Sequence, residues 1–549
     1  MKKIKLAFLL VGSTILFSGF FPSDTDIYFR ISKSIETFGK VYKEITLNYV
    51  DKINPEEFAL AGVKGMLSQL DPYTNYIDSQ NQRDLDIITS GKYGGIGLTV
   101  SFTDENVTVV NLADGYSAQK TGIRLGDVIK KVNDVELTKN NSDYLSIIQK
   151  GDPGTYVSLT IKREGVDSLL HFNVVRQEIE ISNLDYYGFM PENSGNAYLK
   201  LSGFARPAGN EVKKALEELS GKRKIESIVL DLRGNPGGLL EAAVNVCEKF
   251  LKKGSKVVSV IGRDSLQKKD YYSTEEPLAG NVPLAVLVDN GSASASEIVA
   301  GAIQDHDRGV IVGEPTFGKG LVQTVVPLTD NSSLKMTTAR YYTPSGRCIQ
   351  KISYSENNKV FELQGINKIN AFYTDRKREV YSAGGIKPDS VTGEGNLSQI
   401  EMKLLTDGMF FKFATHYFNA NPAMQLKDIN DEALFNSFAG WLKEKKFQFI
   451  PRAEMALEQL KKTMLEGSYP KGIETELNHI QAEIDKTKQN ELAKNKHDIV
   501  MELRDELVDR ILGSRGMIKE SLKEDKTFKT AYSILTNKKL YNKLLNINE

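Results

Sequence analysis

The stretch Val286 to Val325, VLVDNGSASASEIVAGAIQDHDRGVIVGEPTFGKGLVQTV, decides the architecture of this chain. It opens on an apolar run, passes through a turn of small residues into a helical pattern, and returns through a second apolar run to a glycine turn around Lys319. Ala295, Ile298, Val299, Ala302 and Ile303 fall on one helical face, which puts Ser294 at or just before the helix N-terminus. Around this stretch SIVLDL (227–232), PLAVLVD (283–289) and GVIVGE (309–314) are continuous apolar runs with helical patterns between them. Strands that are apolar on both faces and alternate with helices predict a layered α/β core with parallel pairing.

A serine at a helix start faces free backbone N–H groups and the positive end of the dipole, which favour developing negative charge. Ser294-x-x-Glu297 also spells a capping box, and a serine before a helix is more often a cap than a nucleophile. Lys319 lies in Gly318-Lys319-Gly320 with almost no charged residues around it. A lysine removes a serine proton only when its amine is neutral, which requires burial away from acids and close to the nucleophile. Taken alone, it reads as an ordinary exposed turn lysine.

Outward from this core the texture changes twice. Between about Tyr93 and Glu178 short β-rich runs, GIGLTVSF, NVTVVNL, DVIKKV, YVSLTIKR and HFNVV, are separated by Gly, Asp and Asn turns, which predicts a compact β module. Beyond about Ser390 the chain is highly charged. Stripes at Ile473, Leu477, Ile480 and Ile484, and at Leu503, Leu507 and Ile511, predict helices. Before the β module, Ile35, Phe38, Tyr42, Ile45 and Tyr49 predict a helix burying one face. A second helix is expected from Asn54-Pro55-Glu56-Glu57, with Asn54 as cap, Pro55 in first position and Glu57 closing a capping box.

At 549 residues the chain is too long for one core, and about three or four folded units are expected. Lys plus Arg and Asp plus Glu both number 71, so no global basic field invites nucleic acid. Lys2, Lys3 and Lys5 precede a sixteen-residue apolar run from Leu6 to Phe21, built as an export signal that is either removed or kept as an anchor. The chain is thereby expected in the bacterial envelope, periplasmic or outward-facing. Cys247 and Cys348 do not make a disulfide framework; the two leave room for one bridge, and two structural thiols are the expected state. The five histidines share no metal-ligand spacing, so no metal site is expected.

The serine and lysine together resemble the carboxyl-terminal processing, or tail-specific, proteases, whose nucleophile and base lie 25 residues apart in S-A-S-E and F-G-K-G contexts, as Ser294 and Lys319 do. The segments GYSAQKTGIRLGDVIKKVND (115–134), VLDLRGNPGGLLEAAV (229–244), ARYYTPSGRCIQ (339–350) and GGIKPD (384–389) are similar to that family's signatures and follow its order, so the likeness runs from about residue 35 to 390. It implies Ser294 as nucleophile, Lys319 as base and Gln323 as the residue that holds the amine. It also implies an oxyanion hole from the backbone N–H groups of Gly237 and Ala295. The β module resembles a circularly permuted PDZ domain, with Gly95, Ile96, Gly97 and Leu98 as the loop whose N–H groups cradle a terminal carboxylate while the peptide adds as a strand. A chymotrypsin-like nucleophile motif is excluded because Pro236 occupies the serine's position, and His306, between Asp305 and Asp307, is a poor triad histidine.

The expected organisation is a signal or anchor (1–22), a helical segment (23–85), a PDZ domain (86–178), a crotonase-like α/β protease core (179–390) and a helical extension (391–549). The expected reaction is hydrolysis of peptide bonds near the C-termini of envelope proteins, without metal or organic cofactor. Expected partners are proteins with accessible C-terminal tails, and a second copy or an adaptor on the C-terminal helices.

Overall fold

All three apolar runs that flank the small-residue turn are strands. In the computed structural model they form Ser227–Asp231, Leu284–Val288 and Val310–Gly313, and every residue in them is buried. The structure describes residues 24–78, 82, 87, 89–103, 105–138, 148, 150–264, 266, 268–329, 331–354, 370–393, 397–465 and 472–547. The predicted apolar run Leu6 to Phe21 lies outside them. Among the described residues no helix is long and apolar enough to cross a membrane.

The central sheet has six strands in the order Leu184–Phe189, Asn196–Leu201, Ser227–Asp231, Leu284–Val288, Val310–Gly313, Ser390–Val391. The first pair is antiparallel and the rest are parallel, as the doubly apolar runs predict. Alternate residues face opposite sides. Ile228, Leu230, Val286, Val288 and Ile311 point into one core, shared with the helices Ala208–Lys222, Leu240–Cys247 and Ala295–Asp305. Val229, Ala285, Leu287, Val310 and Val312 point into the other, where the helices Lys526–Thr536 and Lys538–Leu544 cover the sheet with Phe528, Ala531, Ile534, Leu535 and Tyr541. Each large apolar side chain so buried stabilises the fold by about 1.5–3 kcal/mol before entropy is counted.

The five β-rich runs become the antiparallel sheet Leu98–Thr103, Asn106–Leu112, Val128–Val132, Tyr156–Lys162, Leu170–Val175, in that order, with Val135–Glu136 beside the third strand. Ile96, Val109, Ile129, Val157, Leu159, Ile161 and Val174 form its core. Lys92–Gly95 pairs with Gln177–Glu180 where the chain enters and leaves.

The C-terminal segment resolves into two parts. Helices Gln399–Thr406, Met409–Ala420 and Asp431–Glu444 gather with the start of Lys496–Ser521 around Phe413, Phe438, Trp441, Leu503 and Leu507. The last of these helices breaks at Gly513, and the chain beyond it supplies the cover of the central sheet. Of the expected stripe on Gly472–Lys494, Leu477 is buried but Ile480 is exposed.

Of the described residues, 24–78, 325–329, 331–336 and 354 form a unit of their own. The predicted N-terminal helix spans Asp24–Asn48, but the predicted burial of its face is largely absent: Ile35, Phe38 and Tyr49 are exposed. Two helices cannot enclose a core, and of this stripe Tyr42 finds a ring partner, stacked on Phe58 at 5.8 Å. Asn54 caps Pro55–Leu67 by accepting from the N–H groups of Glu56 and Glu57, the expected start. Cys247 and Cys348 are free thiols.

Candidate active site

The turn after Leu284–Val288 holds Ser294 in a conformation that side chains rarely adopt, with φ 55° and ψ −110°. Such backbone costs about 1–3 kcal/mol and persists only where neighbours over-determine it. Here they do. The Ser294 N–H donates to Glu297 Oε2 at 2.8 Å, and its carbonyl accepts from the Ile298 N–H at 3.0 Å and from the buried Tyr341 hydroxyl at 3.2 Å. Of the capping box that Ser294-x-x-Glu297 spells, the bond from the Ser294 N–H to the Glu297 carboxylate is made.

Glu297 does more than close that box. It is fully buried, and besides Ser294 it accepts from the Thr316 hydroxyl at 2.6 Å and the Gly318 N–H at 2.7 Å through Oε1, and from the Lys319 N–H at 2.9 Å through Oε2. One oxygen thus bonds the backbones of both Ser294 and Lys319, which sets the two expected catalytic residues side by side. Burial pushes the Glu297 carboxyl up to about 7, against the pull of the donors around it.

The other signature segments frame the lysine loop. Gly318 O accepts from Lys351, Gly320 N–H donates to Gln350 Oε1 at 2.7 Å, Gly320 O accepts from Tyr341, and Thr316 exchanges bonds with Ile386. Ser294, Lys319 and Gln323 are all half-buried. Gln323, on Leu321–Pro327, donates from Nε2 to Thr337 Oγ1 at 3.3 Å.

The turn Leu232 to Gly238 lies along the serine turn and is stitched to it. Ser292 Oγ donates to Leu232 O, Ala293 N–H and Ser296 Oγ to Asn235 O. Gly237, at φ 100°, fits where no other residue can. A Cβ there would stand 2.9 Å from both Ala295 N and Ser294 Cβ. The Gly237 N–H, expected to face an oxyanion, donates in this arrangement to Asn235 Oδ1 at 2.9 Å. The Ala295 N–H is the first of its helix and so has no acceptor within it. Asn235 and Glu297 are the site residues that sequence reasoning missed in these roles. The available signal was Glu297 as the one acid between Gly291 and Gln304, and Asn235 as the one amide between Leu232 and Gly238.

In the PDZ module Gly95 pairs with Gln177, Ile96 is fully buried, and the carbonyls of Ile96 and Gly97 accept from Ala118 and Ala113. Leu98 begins the strand at the edge of the sheet, among the described residues an edge without a partner strand. His306 lies at the far end of the Ser294 helix, bonded to Asp375 and Lys256 O. Among the described residues no three His, Cys, Asp or Glu side chains gather as a metal site would require. A strained serine at a helix N-terminus, a lysine loop beside it and a glycine turn against the serine suit acyl transfer.

Comparison with known proteins agrees with that chemistry. Residues 195–360 match peptidase family S41, residues 94–174 match a PDZ domain, and residues 400–535 match the C-terminal helical domain of probable PDZ-proteases. The carboxy-terminal-processing protease of Bartonella bacilliformis is 36% identical over 323 residues, covering 58% of this chain and 73% of the relative. The carboxy-terminal processing protease CtpA of Bacillus subtilis is 28% identical over 418 residues, covering 74% of this chain and 87% of the relative. Among solved structures, a photosystem II D1 C-terminal processing protease is 27% identical, covers 66% of this chain and 93% of its own, and gives a TM-score of 0.35. The chain therefore belongs to the carboxy-terminal processing proteases, serine-type endopeptidases of peptidase family S41 that carry a PDZ domain.

Proposed function

We propose that Ser294 is the nucleophile and Lys319 the general base, and that Gln323 holds the lysine amine in place. The observation that carries this reading is the shared acceptor Glu297 Oε2, to which the backbones of both residues are tied. Neutral Lys319 takes the Ser294 proton as Oγ attacks the scissile carbonyl carbon. The oxyanion is held by the N–H groups of Ala295 and Gly237, the latter turning from Asn235 to the substrate. Collapse breaks the C–N bond, the leaving amine recovers the proton from Lys319, and water, deprotonated by the same lysine, releases the acyl group.

The core belongs to the crotonase-like architecture on this reading, within the domain bounds expected from the sequence. A substrate tail lays its carboxylate on the loop Gly95 to Leu98 and extends along the edge strand, so that the PDZ domain delivers the tail or gates the site. The substrates are envelope proteins with accessible C-terminal tails, met after export directed by residues 1–22, whether that segment is removed or stays as an anchor. A second copy or an adaptor docks on the C-terminal helices. Mass-spectrometric comparison of envelope protein C-termini in wild-type and Ser294→Ala cells tests the substrate assignment, and identical termini would count against it.

For the dyad, cleavage of an unstructured peptide with an apolar C-terminus is expected to vanish in both Ser294→Ala and Lys319→Ala, with circular dichroism unchanged. Full activity in Lys319→Ala refutes the assignment of the base.

A further inference from the structure

At the C-terminal end of Ser227–Asp231 the sheet meets the last helices over a cluster of charges. Asp231 is fully buried and accepts from the Tyr198 hydroxyl at 2.6 Å and from Arg233 at 2.6 and 3.0 Å, with the Lys200 ammonium at 3.4 Å. The same Arg233 guanidinium donates to Asp525 Oδ2 at 2.6 Å. The Arg233 and Asp525 side chains are only 16% and 12% exposed. Two acids and two bases, largely withdrawn from water, balance one another, and removing one leaves a poorly compensated charge.

Asp525 has a second task. Its Oδ1 accepts the Phe528 N–H at 2.8 Å and so caps Lys526–Thr536. That helix is anchored to the sheet, with Phe528 edge-on to Tyr198 at 5.6 Å, and Tyr541 in the next helix accepts the Leu284 N–H at 3.1 Å. The grip on Arg233 is therefore made from a rigid element. Arg233 opens the turn that ends at Gly237, and that turn is held at two neighbouring points: Lys200 Nζ donates to Arg233 O at 2.7 Å, and Gly234 N–H donates to Asp289 at 2.9 Å.

We propose that Asp525 is a positioning residue for peptide-bond hydrolysis: by gripping Arg233 it fixes the turn Leu232 to Gly238 and with it the place of Gly237 beside Ser294. This rests on the reading of that turn and of Ser294 as the reacting groups. The C-terminal helix pair is then part of the catalytic frame, and its effect reaches the oxyanion through one ion pair.

Asp525→Asn separates the two tasks, because asparagine caps a helix as well as aspartate does but offers Arg233 no charge. In the full-length protein cleaving a fluorogenic peptide, Asp525→Asn is expected to lower kcat about tenfold with KM held within about twofold. Affinity for a peptide boronic acid, whose serine adduct calls on the same N–H groups, should fall in parallel, and although the poorly compensated Arg233 charge lowers the unfolding midpoint, the protein stays folded at the assay temperature. Asp525→Glu, which keeps the charge, should recover most of kcat. Wild-type kcat in Asp525→Asn overturns the proposal, as does a loss that tracks the unfolded fraction and is not recovered by glutamate. Ser294→Ala run alongside keeps the two readings apart. Cleavage surviving in Ser294→Ala defeats the nucleophile assignment, whereas an inert Ser294→Ala beside a fully active Asp525→Asn defeats the positioning role alone.

Discussion

Four donors converge on Glu297, from Ser294, Thr316, Gly318 and Lys319, and a carboxylate can accept from all of them whereas a carboxylic acid must give up an acceptor site. The folded protein keeps the Glu297 proton up to about pH 7, while the ordinary value is 4.5. Its contribution to stability is accordingly full below about 4.5 and is lost as pH rises through about 7. Tyr341 is the titratable side chain that faces it from the neighbouring strand, and burial holds that phenol neutral. Ionised Glu297 is the form that matches the site, so kcat/KM should climb through pH 7. Glu297→Gln should lower kcat/KM at pH 8 by about 10–100-fold, since the amide accepts at only one end. It should also remove the rise near pH 7 and flatten the decline in thermal stability between pH 5 and 8. A rise near pH 7 that persists in Glu297→Gln contradicts this account. The sequence showed Glu297 only as the partner of Ser294 in a capping box, because that bond is local. The bonds to Gly318 and Lys319 depend on a loop more than twenty residues on, and no periodicity reports them. The roles proposed for Gln323 and Lys319 rest on resemblance to a family.

Elements with a strong local pattern were legible and their partners were not. SIVLDL, PLAVLVD and GVIVGE are apolar at every position, which a strand buried on both faces requires, and they pair in parallel as expected. The five β runs of the PDZ module follow from alternation and turn residues in the same way. For the N-terminal helix the spacing predicted the helix correctly and its burial wrongly, since an apolar stripe says nothing of what covers it. In the PDZ loop Gly97 has φ 78°, and a Cβ there would approach Tyr116 Cβ to 2.6 Å. Gly97→Ala should cost about 1–2 kcal/mol of stability from the left-handed backbone alone. By displacing Tyr116 it should also weaken binding of a free C-terminal peptide about tenfold or more, because a loop no longer held in its binding shape must be reordered as the peptide docks. Fluorescence anisotropy on full-length protein that also carries Ser294→Ala measures binding without cleavage. Equal affinity with and without Gly97→Ala would remove this loop from tail recognition.

At the scale of the molecule, residues 518–547 complete the second face of the protease sheet, so the segment that looked like an extension supplies part of the core. Phe528, Ala531, Ile534 and Leu535 fall at helical spacing, yet nothing in that spacing identifies Val229, Leu287 and Val312 as their partners. The contacts span roughly two to three hundred residues of chain and are set by topology. The same topology brings Asp525 to Arg233, and the serine turn to the glycine turn and the lysine loop. The central claim is that this convergence makes Ser294 a nucleophile activated by Lys319. Its most direct measurement is peptide-mapped mass spectrometry of the purified protein after reaction with a serine-directed fluorophosphonate. A single adduct on Ser294 is expected, absent in Ser294→Ala and formed at least about a hundredfold more slowly in Lys319→Ala. An adduct on another serine, or undiminished labelling of Ser294 in Lys319→Ala, would contradict it.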